Sequence, residues 1–209
     1  MDIQKLLETS ARKHSHLCPR QILGVRIGLM GIAQLDLTPD EIARKRMLVI
    51  AETDGCFIDG LIAATNCEFG HRTLRVEDYG KIAATFIDIQ TERSFRIAPA
   101  LNAREKAYSY APDEPRHYFA QLQAYQVMPD DELLTSQEVV LNQSAAQIVS
   151  RPGVRVNCQV CGEEIINERE INHGGMILCR ACAGPGYYQP ISKISIQANI
   201  ESLCLFDNK

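Results

Sequence analysis

The strongest constraint on the fold of this chain is a regular set of cysteines near its C-terminal end. Two C-x2-C pairs are separated by 17 residues, and their members are Cys158, Cys161, Cys179 and Cys182. Each pair can form a knuckle that places two sulfurs on one side of the backbone, and two facing knuckles make a closed tetrahedral thiolate site. Four protein ligands leave no open coordination position. We therefore expect a structural Zn²⁺ ion in a small zinc ribbon, and we look for the function elsewhere in the chain.

The length of the chain suits one main domain and a small appendage. It has 209 residues, of which 45% are apolar and 23% are charged, as in globular proteins with a real core. Arg151-Pro152-Gly153 is the expected boundary. We predict a core domain over residues 1–150 and a second unit over 151–209, which holds the ribbon and a C-terminal tail.

Charge and hydropathy narrow the classes of partner and the compartment. The formal net charge is −4 and the pI is about 5.8, which disfavours nucleic-acid binding because that function needs clustered Lys and Arg. The first residues indicate an amphipathic helix rather than a signal peptide, and no run approaches the roughly 18 apolar residues of a membrane span. We expect a cytoplasmic protein with no membrane partner, whose eight cysteines bind metal or react rather than form disulfides.

Hydrophobic periodicity predicts an α+β core in which helices pack on a mixed or antiparallel sheet. Apolar residues at helical spacing indicate helices over 2–13 and 19–34, and the continuous apolar run 47–51 indicates a buried strand. The remaining expectations are a helix over 57–64, a broken helical pattern over 102–126, and strands over 73–76, 82–89, 94–97 and 133–141.

The second predicted helix carries three glycines nearly on one face, namely Gly24, Gly28 and Gly31. Glycine costs about 1 kcal/mol against alanine inside a helix. We therefore expect another backbone to pack very close to this face.

A second, less regular set of His and Cys lies near the N-terminal end. His14, His16 and Cys18 alternate in a polar turn, so their side chains can converge on one ion, and imidazole with thiolate suits Zn²⁺, Ni²⁺ or copper. Pro19 suits the first turn of a helix, whose N-terminal end would favour a thiolate at Cys18. The alternative interpretation is a polar turn whose histidines cap and whose cysteine packs.

Two later cysteines favour the interpretation as a site. Cys56 lies just past the buried strand, where α/β-type folds commonly place functional groups, and Cys67 follows eleven residues on. Alone, each would be a small apolar side chain. Because Asp54 and Asp59 lie near them in the sequence, we interpret both cysteines as parts of a site rather than as apolar core residues. No glycine-rich phosphate-binding loop occurs, which argues against NAD or ATP chemistry.

These motifs together resemble the FmdE family, which is named after one of the subunits of formylmethanofuran dehydrogenase, over about residues 10–100. The matching residues are His14-x-His16-x-Cys18-Pro19, Gly24, Gly28, Glu52-x-Asp54-x-Cys56-x-x-Asp59-Gly60, Thr65-x-Cys67 and Asp78-x-Gly80-Lys81. The resemblance implies an α+β core that is often dimeric, and members often carry a C-terminal zinc ribbon. Members are associated with molybdenum or tungsten formylmethanofuran dehydrogenase, although many occur where that enzyme is absent.

The resemblance also implies a metal or reactive-thiol site in the core, formed by the His-x-His-x-Cys turn and the later cysteines. The implied core ligands are His14, His16, Cys18, Cys56 and Cys67. The candidate cofactor-binding residues are Asp54, Asp59 and Lys81. A second transition metal or a metal cofactor would thus accompany the structural zinc.

The chain departs from the family pattern at three positions. Arg20 and Asn66 stand where glycines are usual, and Glu68 stands where a threonine is usual. Arg20 would either crowd the pocket or supply a charge to an anionic ligand. Asn66 tolerates a left-handed backbone, so we expect its turn to persist. These changes bear on the ligand more than on the fold.

Three functions fit these residues. The first is a metal-binding accessory protein, a homodimer that holds a metal or metal cofactor in its core and docks on a molybdenum- or tungsten-type redox enzyme. The second is an enzyme with Cys18 or Cys56 as nucleophile and His14 or His16 as base, oriented by an aspartate. The third is a regulator whose core senses a ligand while the ribbon binds a partner. The sequence leaves open whether there is catalysis.

Overall fold

Two units make up the chain, Met1–Val149 and Ser150–Lys209. The computed structural model describes residues 2–188, apart from 13, 15 and 185, together with residue 191. The end of the predicted tail, with Ile194, Ile196, Leu203 and Cys204, lies outside the described residues.

The described part of the first unit combines a sheet with helices. Its helices are α1 (Ile3–Ala11), α2 (Pro19–Leu35), α3 (Pro39–Ala43), α4 (Cys56–Thr65), α5 (Ala103–Tyr110), α6 (His117–Val127), α7 (Asp130–Leu133) and α8 (Ala145–Val149). Its strands are β1 (Met47–Ala51), β2 (Leu74–Val76), β3 (Ala84–Asp88), β4 (Ser94–Pro99) and β5 (Leu134–Glu138). The strand order is β2-β1-β3-β4-β5, with β1 and β2 parallel and the other neighbours antiparallel. The prediction of an α+β fold with a mixed sheet and packed helices is confirmed.

Strand β1 is buried on both faces of the sheet. Met47, Val49 and Ala51 belong to the main apolar core beneath the helices, whereas Leu48 packs with Ile87 and the residues of α8. Successive side chains of a strand point to opposite faces, so a strand covered on both sides needs a continuous apolar run. This is why residues 47–51 show no alternation of apolar and polar residues.

Glycines let α2 and α4 cross at main-chain contact. A Cβ built on Gly24 would lie 2.3 Å from the Phe57 carbonyl oxygen, and one on Gly60 would lie 2.2 Å from a main-chain oxygen of α2. The contact continues in the same direction along both helices, because Gly28 faces Ala64 as Gly24 faces Gly60. The two helices therefore run parallel, and their N-terminal ends lie at the same end of the core.

The third glycine of the α2 face meets the sheet instead of a helix. A Cβ on Gly31 would lie 2.3 Å from the aromatic ring of Phe86, a fully buried residue of β3. The expected close approach of a second backbone is thus found at Gly24, whereas Gly31 makes room for an aromatic side chain. Together they fix α2 between α4 and the sheet.

The described part of the second unit consists of two hairpins and a short helix. These elements are β6 (Arg155–Asn157) with β7 (Glu164–Ile166), β8 (Ile171–His173) with β9 (Met176–Leu178), and α9 (Arg180–Ala183). The apolar core of this unit is small, with Cys158, Ile165 and Leu178 as its buried members. A core of this size gains much of its folding free energy from a bound metal.

Candidate functional site

Cys18 lies at the N-terminal end of α2, in the position that precedes the first helical residue. Its backbone N–H donates to the Gln21 side-chain oxygen at 2.8 Å, and the Gln21 amide donates in turn to the carbonyl oxygen of Ser10 at 3.0 Å. Gln21 is fully buried and Cys18 is 7% exposed. The buried amide therefore holds the end of α1 against the start of α2 and fixes the backbone of Cys18.

Cys56 is the first residue of α4, and its thiol lies close enough to that of Cys18 for the two to interact. The parallel crossing of α2 and α4 explains this proximity, because it brings the two helix starts together. Burial, followed by the neighbouring Cys18 thiol, raises the pKa of the Cys56 thiol. In the absence of a cation the thiol is thus the favoured form of Cys56, and a bound cation or a neighbouring base would be needed to hold a thiolate.

His14 reaches the same region from the turn between α1 and α2. Its Nε2 atom lies 2.6 Å from the Oδ2 atom of Asp59, which follows Cys56 by one helical turn on α4. The two side chains are partly buried. This hydrogen bond orients the imidazole, and it shows that the turn of the His-x-His-x-Cys motif folds onto α4.

The other predicted residues near this end of the core are more exposed. His16 lies in the α1–α2 turn and Asp54 in the loop between β1 and α4. The Lys81 backbone N–H donates to the Glu52 carbonyl oxygen at 3.1 Å, which attaches its loop to the end of β1. Glu52 itself is buried and makes two hydrogen bonds to the Arg96 guanidinium.

The structure separates Cys67 from these residues. Cys67 follows the C-terminal end of α4, whereas Cys56 begins it, and a 10-residue helix spans about 14 Å. Its Sγ atom contacts the carbonyl oxygen of Met47 at the start of β1, and it is 2% exposed. Because Zn–S bonds measure about 2.3 Å, one ion cannot reach Cys56 and Cys67 at once. Burial raises the pKa of the Cys67 thiol.

A cavity of about 670 Å³ opens beside Cys18 and Cys56. Its lining includes the apolar or aromatic residues Leu23, Ile82 and Tyr118 and the exposed Arg20. The cavity has the size and the mixed character of a small-molecule site.

Sequence patterns missed one whole side of this cavity, which comes from α5 and α6. The contributing residues are Arg104, His117, Tyr118, Gln121 and Tyr125. Three of the α6 residues, His117, Gln121 and Tyr125, follow one another at four-residue spacing. That spacing was a usable signal of a shared helix face, but it does not show that the face lines a cavity.

A buried arginine holds this side of the cavity in place. Arg26 of α2 donates to the carbonyl oxygens of Tyr125 and Met128, at 2.9 and 2.6 Å, and to the Asp130 carboxylate at 2.7 Å. The carbonyls at the C-terminal end of α6 thus gain a cationic partner, which suits the helix dipole. Helix α6 is therefore tied to the same helix that carries Cys18.

The four cysteines of the second unit lie together and could hold a metal ion. One ligand atom of each cysteine lies within 4.8 Å of all the others, and the sulfurs of Cys161 and Cys179 are 3.9 Å apart. Tetrahedral zinc with bonds of about 2.3 Å places its sulfurs about 3.8 Å apart. The four side chains therefore fit a zinc-sized ion.

Electrostatics within this cluster also favour a bound cation. Backbone N–H groups, first that of Cys161 and then that of Cys179, lower the pKa of Cys158 to about 6. The hydrogen bond to the neighbouring Cys179 raises the pKa of Cys182 to about 12. Without a cation the cluster thus favours one thiolate, and a divalent metal is what would stabilise four.

Among the described residues, the four ribbon cysteines are the group in which three or more His, Cys, Asp or Glu ligand atoms lie mutually close. The core offers fewer close ligand atoms, namely the two thiols of Cys18 and Cys56, with the hydrogen-bonded His14–Asp59 pair nearby. Such a pair leaves coordination positions for a ligand in the cavity. The two candidate sites thus differ, since one is closed and the other open.

Comparison with known proteins identifies the family. A model of FmdE, described as "Molybdenum formylmethanofuran dehydrogenase operon", matches residues 13–135, which is more than half of the chain. The chain belongs to the FmdE family. The match begins in the turn before Cys18 and ends within β5, so it contains the cavity and both of its thiols.

Two individual proteins resemble this FmdE-family chain. A tungsten formylmethanofuran dehydrogenase FmdE-like protein from Syntrophus aciditrophicus has a solved structure that matches with a TM-score of 0.56 at 20% identity. The match covers 90% of this chain and 96% of that one, and it shows the shared fold. A "Probable S-adenosyl-L-methionine-binding protein" from Archaeoglobus fulgidus is 31% identical over 97 residues, or 46% of this chain. Those residues span 26% of the Archaeoglobus protein.

The family and the cysteine cluster confirm an FmdE-like protein with four cysteines able to bind a metal such as zinc. Within the part of the chain that the structure describes, no helix combines the length and the apolar character needed to cross a membrane.

Proposed function

We propose that this FmdE-family protein holds a transition metal ion, or a small metal cofactor, at Cys18 and Cys56 and docks on a molybdenum- or tungsten-type redox enzyme. In this proposal residues 1–150 are the functional core domain, and residues 151–209 are a zinc ribbon and tail. The protein acts in the cytoplasm, where reduced cysteines persist, and as a homodimer of the kind that the family suggests.

The observation that carries the proposal is the pair of thiols in the cavity lining. The Cys18 and Cys56 thiols are close neighbours, and both residues belong to the lining of the 670 Å³ cavity. Thiolates prefer soft or borderline metals, and two of them leave positions for a cofactor's own ligands. In this proposal His14 or His16, which lie in the adjacent turn, supplies one nitrogen ligand, and the remaining position stays open for the cofactor.

The metal content of purified variants tests the core site. We expect more than one metal equivalent per chain in the unchanged protein, and a loss of the excess in Cys18→Ser and Cys56→Ser. Cys67→Ala is the matched control, because this cysteine sits at the far end of α4, and it should keep the full content. One equivalent in every core variant, lost only with a ribbon cysteine, would exclude the core metal.

A second measurement tests the docking step. Purified protein should raise the activity or the metal occupancy of a metal-depleted molybdenum or tungsten formylmethanofuran dehydrogenase, and Cys56→Ser should not. If the unchanged protein and Cys56→Ser have the same effect, docking does not depend on the core site. If neither has an effect, the proposed partnership with the redox enzyme is wrong.

The hydrogen bond between His14 and Asp59 favours a second candidate, a cysteine-dependent enzyme. At 2.6 Å the carboxylate can orient an imidazole that acts as base toward Cys18 or Cys56. This candidate predicts that an alkylating reagent modifies one of these thiols quickly at neutral pH, and that Asp59→Asn slows the reaction. The metal proposal predicts instead that bound metal protects both thiols and that chelation exposes them.

A further inference from the structure

The cavity beside Cys18 has an unbalanced set of charges. Two arginines, Arg20 and Arg104, belong to its lining, and no Asp or Glu among the described residues does. The carboxylate nearest to Cys56 along α4 is Asp59, and it is engaged by His14. The chain as a whole carries a net charge of −4, so this local excess of positive charge does not follow from composition.

Four helices begin at the cavity. The first residues of α2, α4, α5 and α6, namely Pro19, Cys56, Ala103 and His117, all belong to its lining. A helix N-terminal end presents unpaired N–H groups and about half a positive charge. Their convergence adds to the field of the two arginines, and it favours a negatively charged group on a ligand in the cavity.

Tyr125 supplies an independent sign of a polar ligand. It belongs to the cavity lining, its side chain is almost wholly buried at 3% exposure, and no hydrogen bond joins its hydroxyl to a described residue. A polar group in a cavity wall that has no protein partner usually marks a place that a ligand or water fills. Arg104 lies close enough to act electrostatically on this hydroxyl, and Arg26 fixes the Tyr125 backbone.

The rest of the lining is apolar or aromatic. Leu23, Ile82 and Pro99 line it together with Tyr118 and His117. A small inorganic anion would leave most of the 670 Å³ without apolar contact. A ligand with a flat organic body and one anionic group would use both parts of the surface.

We propose that the cavity binds an organic anion, a carboxylate or phosphate ester with a flat apolar body, whose charged group is held by Arg104 and the Tyr125 hydroxyl. The inference rests on the proposed function in that it concerns the same cavity, but it does not require the core metal. Arg20, which stands where the family pattern has a glycine, also belongs to the lining and contributes the second positive charge.

Ligand-observed NMR titration of the full-length protein tests the inference with simple probes. Phenyl phosphate and benzoate represent the two sources of negative charge, and benzamide is the neutral match of benzoate. We expect saturable binding of at least one anionic probe and at least tenfold weaker binding of benzamide. Because charge-assisted hydrogen bonds are strong, Arg104→Gln should weaken binding of the anionic probe about tenfold or more.

Two further variants separate a specific loss from misfolding. Tyr125→Phe keeps the ring and removes the hydroxyl. It should therefore weaken binding of the anionic probe about threefold or more and leave binding of the neutral probe unchanged. Arg12→Gln, which changes an exposed arginine outside the cavity, should bind within twofold of the unchanged protein. Failure of both anions to saturate, or equal binding of benzoate and benzamide, would overturn the inference. The inference would also fail if Arg104→Gln reduced the affinity for the anionic probe no more than Arg12→Gln does.

Metal content, measured on the same samples, keeps the two proposals apart. If the core metal is absent but phenyl phosphate or benzoate binding still depends on Arg104, the metal proposal fails and the anion inference stands. If the metal depends on Cys18 and Cys56 but no anion prefers the cavity, the anion inference alone fails.

Discussion

Replacement of Gly60 by alanine tests the crossing that brings Cys18 and Cys56 together. The new Cβ would lie 2.2 Å from a main-chain oxygen of α2 and 2.9 Å from the Gly24 Cα. Relaxed nonbonded contacts lie at about 3.5–4.0 Å, so the two helices would have to separate by roughly 1 Å. No side-chain rotation can relieve the contact, because both neighbours are backbone atoms.

The expected loss of stability follows from two opposing effects. Overpacking of a tight core costs about 1–3 kcal/mol, and contacts between rigid backbones belong at the upper end of that range. Alanine in place of glycine inside a helix returns up to about 1 kcal/mol. We therefore expect Gly60→Ala to lower the free energy of unfolding of the first unit by about 2 kcal/mol. For a domain of this size that change shifts Tm by about 4–8 °C.

Urea unfolding followed by the helical circular-dichroism signal measures this change, since the described helices of eight or more residues all lie in the first unit. Gly70→Ala is the matched control: a Cβ there meets nothing within 4 Å, and we expect a change of no more than about 0.5 kcal/mol. A Gly60→Ala protein as stable as the unchanged one, or a loss equal to that of the control, would refute the packing argument.

Three further predictions concern charge, metal and thiol chemistry. Arg46 holds the pKa of Asp88 well below its ordinary value, so the stability from this carboxylate is present above about pH 4 and is lost as pH falls below that. Asp88→Asn should cost about 2 kcal/mol at pH 7 and flatten the stability profile between pH 5 and 3, as urea unfolding would show. A chelator that strips the four-cysteine cluster should abolish the NMR dispersion of the ribbon hairpins while the helical signal of the first unit persists; loss of both signals would contradict this. In metal-free protein, iodoacetamide should label Cys56 before Cys67, because Cys67 is 2% exposed. Mass spectrometry of digests measures the order of labelling, and faster labelling of Cys67 would contradict the prediction.

Much of the fold could be predicted because its signals are local. The apolar run 47–51 became β1, and Pro19 opened α2 as its fixed φ and missing N–H favour. Asn66, which replaces a glycine, takes φ 55° at the end of α4, so the turn before Cys67 persists. The parallel pairing of β1 with β2 was not accessible, because pairing direction depends on the path of the intervening chain.

The candidate site could be predicted only in part. Short-range motifs pointed to His14, Cys18 and Cys56, and the glycine spacing of α2 pointed to a close neighbour. The same motif reasoning grouped Cys67 with them, since sequence distance does not show that a helix separates two cysteines by its whole length. Tyr125 was missed because its role arises from long-range packing, through the Arg26 contacts with the end of α6.

Cobalt substitution of the core site, with zinc kept in the ribbon, tests the central claim most directly. Thiolate ligands give bound Co²⁺ an intense sulfur-to-metal charge-transfer absorption. The account predicts that zinc-replete protein takes up one further Co²⁺ with this absorption, that Cys18→Ser and Cys56→Ser each abolish it, and that Cys67→Ala keeps it. An absorption that appears only when cobalt displaces the ribbon zinc, or that survives the loss of both Cys18 and Cys56, would contradict the account.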